Sequence, residues 1–254
     1  MVRGLLKFQE YFKGFTGSYV IIGGTACDTV TDAAGLKPRA TKDIDIILVA
    51  EALTGEFVAE FWKFIEAGGY EIRERGEAEH RYYRFTKPVA DDFPYQIELF
   101  SRNPDLLDLK EGTHLTPIPV SGVKPSLSAI LLDETCYRYT IEHTSDHNGL
   151  LIAKIEALVC LKIKAFLDLS KRKENGGEVS SKEIRKHRND VFRLVALLSP
   201  DSIFELPPDL KEDFYLFTDL VKQELPDTSI YQDMGMGPID GQKIFNQMLA
   251  NFNL

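Results

Sequence analysis

Tyr19–Ile47 reads YVIIGGTACDTVTDAAGLKPRATKDIDII. An apolar run, Tyr19–Ile22, predicts a strand. Gly23 and Gly24 predict a turn, and a helix is expected from Thr25. A second apolar run opens with Asp43-Ile44-Asp45-Ile46. In a strand, residues i and i+2 face the same side. Asp43 and Asp45 therefore project together, while Ile44, Ile46 and Leu48 enter a core. Two carboxylates held about 7 Å apart at the backbone repel each other. The arrangement is costly without a cation between them, and Mg²⁺ is a hard cation suited to oxygen ligands.

Outward from this stretch, residues 4–13 predict a helix with Leu5, Leu6, Phe8 and Phe12 on one side. Residues 52–67 place Val58, Phe61, Trp62 and Ile65 at helical spacing, with Gly68-Gly69 as the stop. Trp62 reads as core. The period then shortens towards two, and Tyr82–Phe85 and Tyr95–Phe100 read as strands. In the second, Gln96, Glu98 and Phe100 share a face opposite Ile97 and Leu99. Glu98 among apolar neighbours is either a functional acid or an acid on the wet face of an edge strand. Residues 116–142 hold further strand-like runs, Ile130–Leu132 and Tyr137–Ile141. His143–His147 reads as a polar turn rather than a metal site.

From about Gly149 the pattern becomes helical, with Leu151, Ile155, Leu158, Leu161, Ala165 and Leu169 on one stripe. Asn175-Gly176-Gly177 marks a loop. Ser180 with Glu183 forms a capping-box signature for a helix ending near Leu198. Two more helices are expected at 208–224 and 239–252. The expected division is residues 1–148 and residues 149–254.

A chain of 254 residues can bury a sizeable core. No apolar run approaches the ~18 residues of a membrane span. The N-terminal stretch reads as an amphipathic helix, not a signal peptide. Cys27, Cys136 and Cys160 lack metal-ligand spacing and read as buried free thiols of a reducing compartment, which places the protein in the cytoplasm. The formal net charge of −9 argues against a surface that wraps nucleic acid non-specifically. Yet residues 162–193 hold ten Lys or Arg against five Asp or Glu, a net of +5 that leaves −14 for the rest. That segment is either a solvated helical face or a binding strip for a phosphate-rich partner.

The residues GGTA at Gly23–Ala26, then Arg39, Thr41 and DIDI at Asp43–Ile46, resemble the nucleotidyltransferases of the DNA polymerase β superfamily. Within it they are most similar to the AbiE-type toxin branch, which reads GGTA and then R-x-S/T-x-D-h-D-h. The distance from Gly24 to Asp43 is longer than is usual there, consistent with a loop insertion around Ala33–Pro38. The helical half is similar too. Lys162-Ile163-Lys164-Ala165 matches a K-h-x-A helix, and Lys186-His187-x-x-Asp190 matches K-D-x-x-D with His187 in place of the acid. The position seven residues after the lysine, where an arginine is often found, is Leu169 here, so that element is missing or moved to Arg172. On the residues alone, a Lys and an Asp four apart read as a surface ion pair.

The resemblance implies an α+β fold: a small mixed β-sheet nucleotidyltransferase core flanked by helices, then a C-terminal helical region. It implies Asp43, Asp45 and Glu98 as the catalytic, metal-binding carboxylates for two Mg²⁺ ions, although the position of Glu98 more often holds Asp. Gly23, Gly24, Thr25, Arg39, Thr41, Lys162 and Lys186 become the expected NTP contacts. Backbone amides at the glycines approach phosphate, and Thr25 or Thr41 adds a hydroxyl donor. The implied activity is transfer of a nucleoside monophosphate from an NTP to an acceptor. A tRNA end docking on the basic segment 162–193 is one acceptor, with growth arrest as the outcome and a cognate antitoxin as partner. Two alternatives stand beside it. One is a small-molecule nucleotidyltransferase of the antibiotic-modifying kind. The other is a degenerate domain that only binds nucleotide or protein.

Overall fold

The computed structural model describes residues 2–75, 82–100 and 133–254. Helix α1 (Leu5–Phe12) turns Leu5, Phe8 and Phe12 inward. Strand β1 (Tyr19–Ile22) is buried on both faces, as its unbroken apolar run requires. Helix α2 (Gly23–Ala33) begins at Gly23, two residues before the expected start. Strand β2 (Asp43–Leu48) follows, then a 3₁₀ turn at Ala50–Ala52. Helix α3 (Gly55–Gly68) starts where the Thr54 side chain accepts the Phe57 N–H, at 3.2 Å. It stops at Gly69, whose φ of 63° is the left-handed cap. Strands β3 (Glu71–Arg75), β4 (Tyr82–Thr86) and β5 (Gln96–Phe100) complete one side of the sheet.

The expected strand at Tyr137–Ile141 is instead part of helix α4 (Glu134–Glu142). Its aromatic and β-branched residues favour a strand locally. Asp133 decides otherwise, accepting the N–H groups of Thr135 and Cys136 as an N-cap, and Cys136, Tyr137, Tyr139 and Thr140 are buried at helical spacing. The run Ile130–Leu132 lies outside the described residues.

His143–His147 is not merely a turn. Thr144–His147 forms strand β6, hairpinned onto β7 (Leu150–Ala153). Asn148 and Gly149 both have positive φ, 55° and 81°. Asn-Gly is the strongest short hairpin signal, and it lay in the sequence. The expected helix from residue 150 accordingly begins later, as α5 (Ile155–Glu174), and Leu151 belongs to a strand. Four helices follow: α6 (Ser181–Val195, capped by Ser180), α7 (Pro208–Val221), the short α8 (Ser229–Gln232), and α9 (Gly241–Asn251).

The seven described strands form one mixed sheet in the order β3-β4-β5-β2-β1-β7-β6. β2 lies between β1, antiparallel, and β5, parallel. The sheet continues past residue 148, since β7 runs parallel to β1. One face is closed by aromatic rings. Phe8 meets Tyr19 edge-on at 5.2 Å between centroids, and Phe61 meets Phe85 at 5.4 Å. Trp62 joins this layer against Phe85. The other face carries α2, which α5 touches, and the register puts Asp43, Asp45 and Glu98 on that face. In the helical half α5 packs on α6 and α7, with Phe166 edge-on to Phe217, and it also touches α2. Cys136 and Cys160 are buried, Cys27 is half-buried, and all three are free. Among the described residues no helix is long and apolar enough to cross a membrane.

Candidate active site

The glycine pair exists because two side chains of the neighbouring loop and strand lie against it. Gly23 has φ 65°, and a Cβ there would fall 1.9 Å from Asp45 Oδ2. A Cβ on Gly24 would fall 2.3 Å from Thr41 Oγ1. The Gly24 N–H donates to the Asp45 carboxylate. Asp45 thus caps α2 from a different strand, which explains why this helix has no capping side chain of its own. The amide expected to approach phosphate is engaged by this acid. Thr25 is likewise committed: it is buried, and its hydroxyl donates to the Asp43 carbonyl at 2.5 Å, tying α2 to β2. Thr41 is braced by Asp28, whose carboxylate accepts the N–H groups of Thr41 (2.6 Å) and Arg39 (3.2 Å).

The sheet register sets the carboxylates in a row. Asp45 lies directly beside Glu98, and Asp43 beside Gln96. Desolvation raises the carboxyls of both aspartates above their ordinary range; Arg84 opposes this at Asp43 and Lys162 opposes it at Asp45. Glu98 is pushed up to about 7, by burial first and then by the Asp45 charge, against the pull of Arg84. Oxygen-only donors on one side of adjacent strands suit a hard divalent cation. Among the described residues, however, no three such side chains are gathered into a metal cluster. The reason is local: Glu98 is ion-paired with Arg84 and accepts the Gln96 amide at 2.9 Å. Asp43 and Asp45 suit a divalent ion by chemistry and shared face, whereas Glu98 is held by Arg84. His143 and His147 bond to Tyr139 O and Ser145 Oγ instead of forming a second cluster.

Metal-free Glu98 holds its proton more tightly in the folded chain than its ordinary value of 4.5 allows in the unfolded one. The folded state therefore binds the extra proton between these values, and stability falls as pH rises from about 4.5 to about 7. Glu98→Gln removes that fall. Its stability relative to wild type should improve by on the order of 3 kcal/mol between about pH 5 and about pH 8 in urea titrations. A difference that stays constant with pH would count against a Glu98 carboxyl held near neutrality.

A cationic group faces the acids from the helical half. Lys162 on α5 is buried, and its Nζ lies 3.2 Å from Asp190 Oδ2. Burial pulls its ammonium down, but Asp190 outweighs that and holds its pKa above the ordinary value. Arg39 Nη1 reaches Asp190 Oδ1 at 2.8 Å, and Arg193 Nη1 approaches the same oxygen at 3.7 Å. Asp190 is held below its ordinary range despite burial, by Lys162 and then Arg39. Lys186, one helical turn before it, does not pair with Asp190 as the sequence suggested. It is exposed, it makes no ion pair or hydrogen bond among the described residues, and its pKa is lowered by desolvation and then by Lys162 and Arg39. His187, where the motif carries an acid, is pushed down to about 3 by burial and then Lys162, so its ring is neutral.

Structure thus brings together Asp43, Asp45, Glu98, Lys162 and Lys186, with Arg39 behind them on Asp190. The sequence reading missed two residues of this group. Asp190 was visible as the last acid of Lys186-x-x-x-Asp190, but a helical spacing of four pointed to the wrong partner. Arg84 carried no local signal, because only strand order sets it opposite Glu98.

No protein-family model matches this chain, and no curated protein matches it. Among solved structures it is similar to an antigenic nucleotidyltransferase-like protein from Paracoccidioides brasiliensis. That likeness has 15% identity and a TM-score of 0.38, over 85% of this chain and 89% of the other. At this level it assigns neither a family nor an activity to this chain.

Proposed function

We propose that this chain is a divalent-metal-dependent nucleotidyltransferase that moves a nucleoside monophosphate from an NTP to a hydroxyl acceptor. One observation carries the reading: Asp43, Asp45 and Glu98 lie in adjacent positions on neighbouring strands, with Lys162 and Lys186 close enough to act on the Asp45 charge. Carboxylates beside cations suit a triphosphate and its metal, since each side neutralises part of the bound complex.

In the proposed reaction the acceptor oxygen forms a bond to the α-phosphorus as the bond from that phosphorus to the β-phosphate's bridging oxygen breaks. Pyrophosphate leaves, and the hydroxyl proton passes to solvent. Asp43 and Asp45, joined by Glu98, would hold Mg²⁺, which when bound would neutralise charge on the attacking and leaving oxygens. Lys186, exposed and without an ion pair among the described residues, meets the triphosphate. Lys162 and Arg39, anchored on Asp190, hold positive potential behind it. Asp45 keeps the α2 terminus and the metal set in register through the Gly24 amide.

RNA, including a tRNA end, is the acceptor favoured by the excess of base over acid in residues 162–193, and this is the toxin-like form of the reading. A small-molecule acceptor is supported by a different observation. A cavity of about 350 Å³ borders Thr41, lined by Leu5, Gln9, Asp28 and His147 among others. Its Asp32 suits an amine-bearing compound better than a nucleic acid, Asp28 being held by the Arg39 and Thr41 N–H groups.

The test is label transfer from each α-labelled NTP, with Mg²⁺ and a whole-cell extract separated into RNA, protein and small molecules. Wild type is expected to label RNA, and Asp45→Asn to lower the rate by about 10³-fold, in the range seen when one transition-state-stabilising group is removed. Label in a small molecule would select the second acceptor. No transfer into any fraction by a folded protein would sink the enzymatic reading.

A further inference from the structure

Arg84 in β4 stands directly across from Glu98 in β5, which stands directly across from Asp45 in β2. The three side chains form one row across the sheet, on the face that carries Asp43. The guanidinium is ion-paired with Glu98, with side-chain exposures of 22% for Arg84 and 7% for Glu98. Its Nε–H is buried without a hydrogen-bond partner among the described residues. Gln96 donates to the same Glu98 oxygen that Arg84 contacts, so both donors crowd one side of the carboxylate.

A structural role explains this poorly. Replacing a buried ion pair by apolar residues of similar size is often neutral or stabilising. Here the pair also leaves a donor unsatisfied, which adds cost. The position makes better sense as charge compensation. Three neighbouring carboxylates need a cation, and Arg84 supplies one that cannot be deprotonated. It acts on Asp43 as well, lowering its carboxyl after desolvation has raised it. A positive charge so close to a divalent ion opposes that ion's binding.

We infer that Arg84 is a positioning residue that holds Glu98 in the metal-free protein and must release it when a divalent cation binds, so that this arginine sets the metal affinity of the site. The inference rests on Asp43, Asp45 and Glu98 being the metal set. Within that reading it explains why the carboxylates are adjacent in register and yet not gathered as a cluster.

The test is Mn²⁺ binding by calorimetry on the full chain, in alkaline buffer where the carboxylates are charged. Wild type is compared with Arg84→Met, Arg84→Lys and Asp45→Asn. Arg84→Met should bind Mn²⁺ about tenfold more tightly than wild type, because a competing charge a few ångströms away is gone. Its metal-free melting temperature should not rise in parallel. Arg84→Lys, which keeps a charge with a looser grip, should fall between. Asp45→Asn should lose binding. A merely structural arginine would give Arg84→Met equal or weaker affinity, and that result overturns the inference while leaving the metal set standing. Failure of both wild type and Arg84→Met to bind, or binding by Asp45→Asn at wild-type strength, overturns the metal set and the inference with it. If Arg84→Met does not fold, the wild-type protein still decides. The arginine Nε–H resonance missing from the Arg84→Lys spectrum should shift as Mg²⁺ is added, and an unmoved resonance with the metal bound overturns release.

Discussion

Asp190→Ala is expected to cost the fold about 3–5 kcal/mol, the penalty for leaving a buried charge without its partner. Asp190 is 5% exposed, and its two oxygens receive Arg39 and Lys162, with Arg193 close by. The substitution removes the carboxylate that Arg39 and Lys162 share, while Arg193 keeps a second, more exposed partner in Asp233 at 3.9 Å. The vacated volume is small, so electrostatics outweighs the cavity in this case. Lys162 is 8% exposed and cannot rotate into water without opening the contact between α5 and α6. It would shed its proton or unfold its surroundings. At about 2–4 °C per kcal/mol for a chain of this size, the melting temperature should drop by on the order of 10 °C. Asp190→Asn keeps the shape and one acceptor and should cost less. Urea titration checks both, and a loss below about 1 kcal/mol for the alanine variant would mean that solvent already screens the cluster.

Gly23→Ala should be strongly damaging for the addition of one methyl group. Two terms add. A non-glycine residue in the left-handed region costs roughly 1–2 kcal/mol, and overpacking a tight contact costs roughly 1–3 kcal/mol. The contact is with Asp45, at 1.9 Å to Oδ2, 2.7 Å to Cγ and 2.9 Å to Cβ. The carboxylate cannot swing aside cheaply, because the Gly24 N–H holds it. A loss of about 2–5 kcal/mol is expected, together with nucleotide transfer, since the displaced group is the proposed metal ligand. Gly24→Ala provides the control. Its Cβ meets Thr41 Oγ1 at 2.3 Å and Thr41 Cβ at 3.1 Å, so Thr41→Ala in the same chain should recover much of the stability. No such rescue exists at Gly23. If Gly23→Ala were as stable as wild type, the close packing of β2 on α2 would be wrong.

These two results probe what different parts of the sequence could disclose. Tyr19–Ile22, the glycine pair and Asp43-Ile44-Asp45-Ile46 announced strand, turn, helix and strand, because periodicity and glycine act over a few residues. The same holds for α1 and α3, for Ser180 as a cap, and for Gly69 as a stop. Local rules also misled. Tyr137–Ile141 has strand-forming residues, yet the Asp133 cap and the burial of one helical face made it α4. Residues 144–153 were folded into a turn and a helix, although Asn148-Gly149 spelled a hairpin.

Within the site, the sequence alone determined that two carboxylates share a face of β2 and that a glycine turn precedes α2. Tertiary structure decided what each group does there. It engaged the Gly24 amide with Asp45 and the Thr25 hydroxyl with the Asp43 carbonyl. It joined Arg39 to Asp190 across 151 positions, leaving Lys186 exposed and without an ion pair among the described residues. It set Arg84 opposite Glu98 through an antiparallel pairing, and Glu98 beside Asp45 through a parallel one. The physical reason is range: capping and amphipathic periodicity are read from residues a few positions apart, whereas an ion pair or a metal set depends on strand order and register, which only the packed chain establishes.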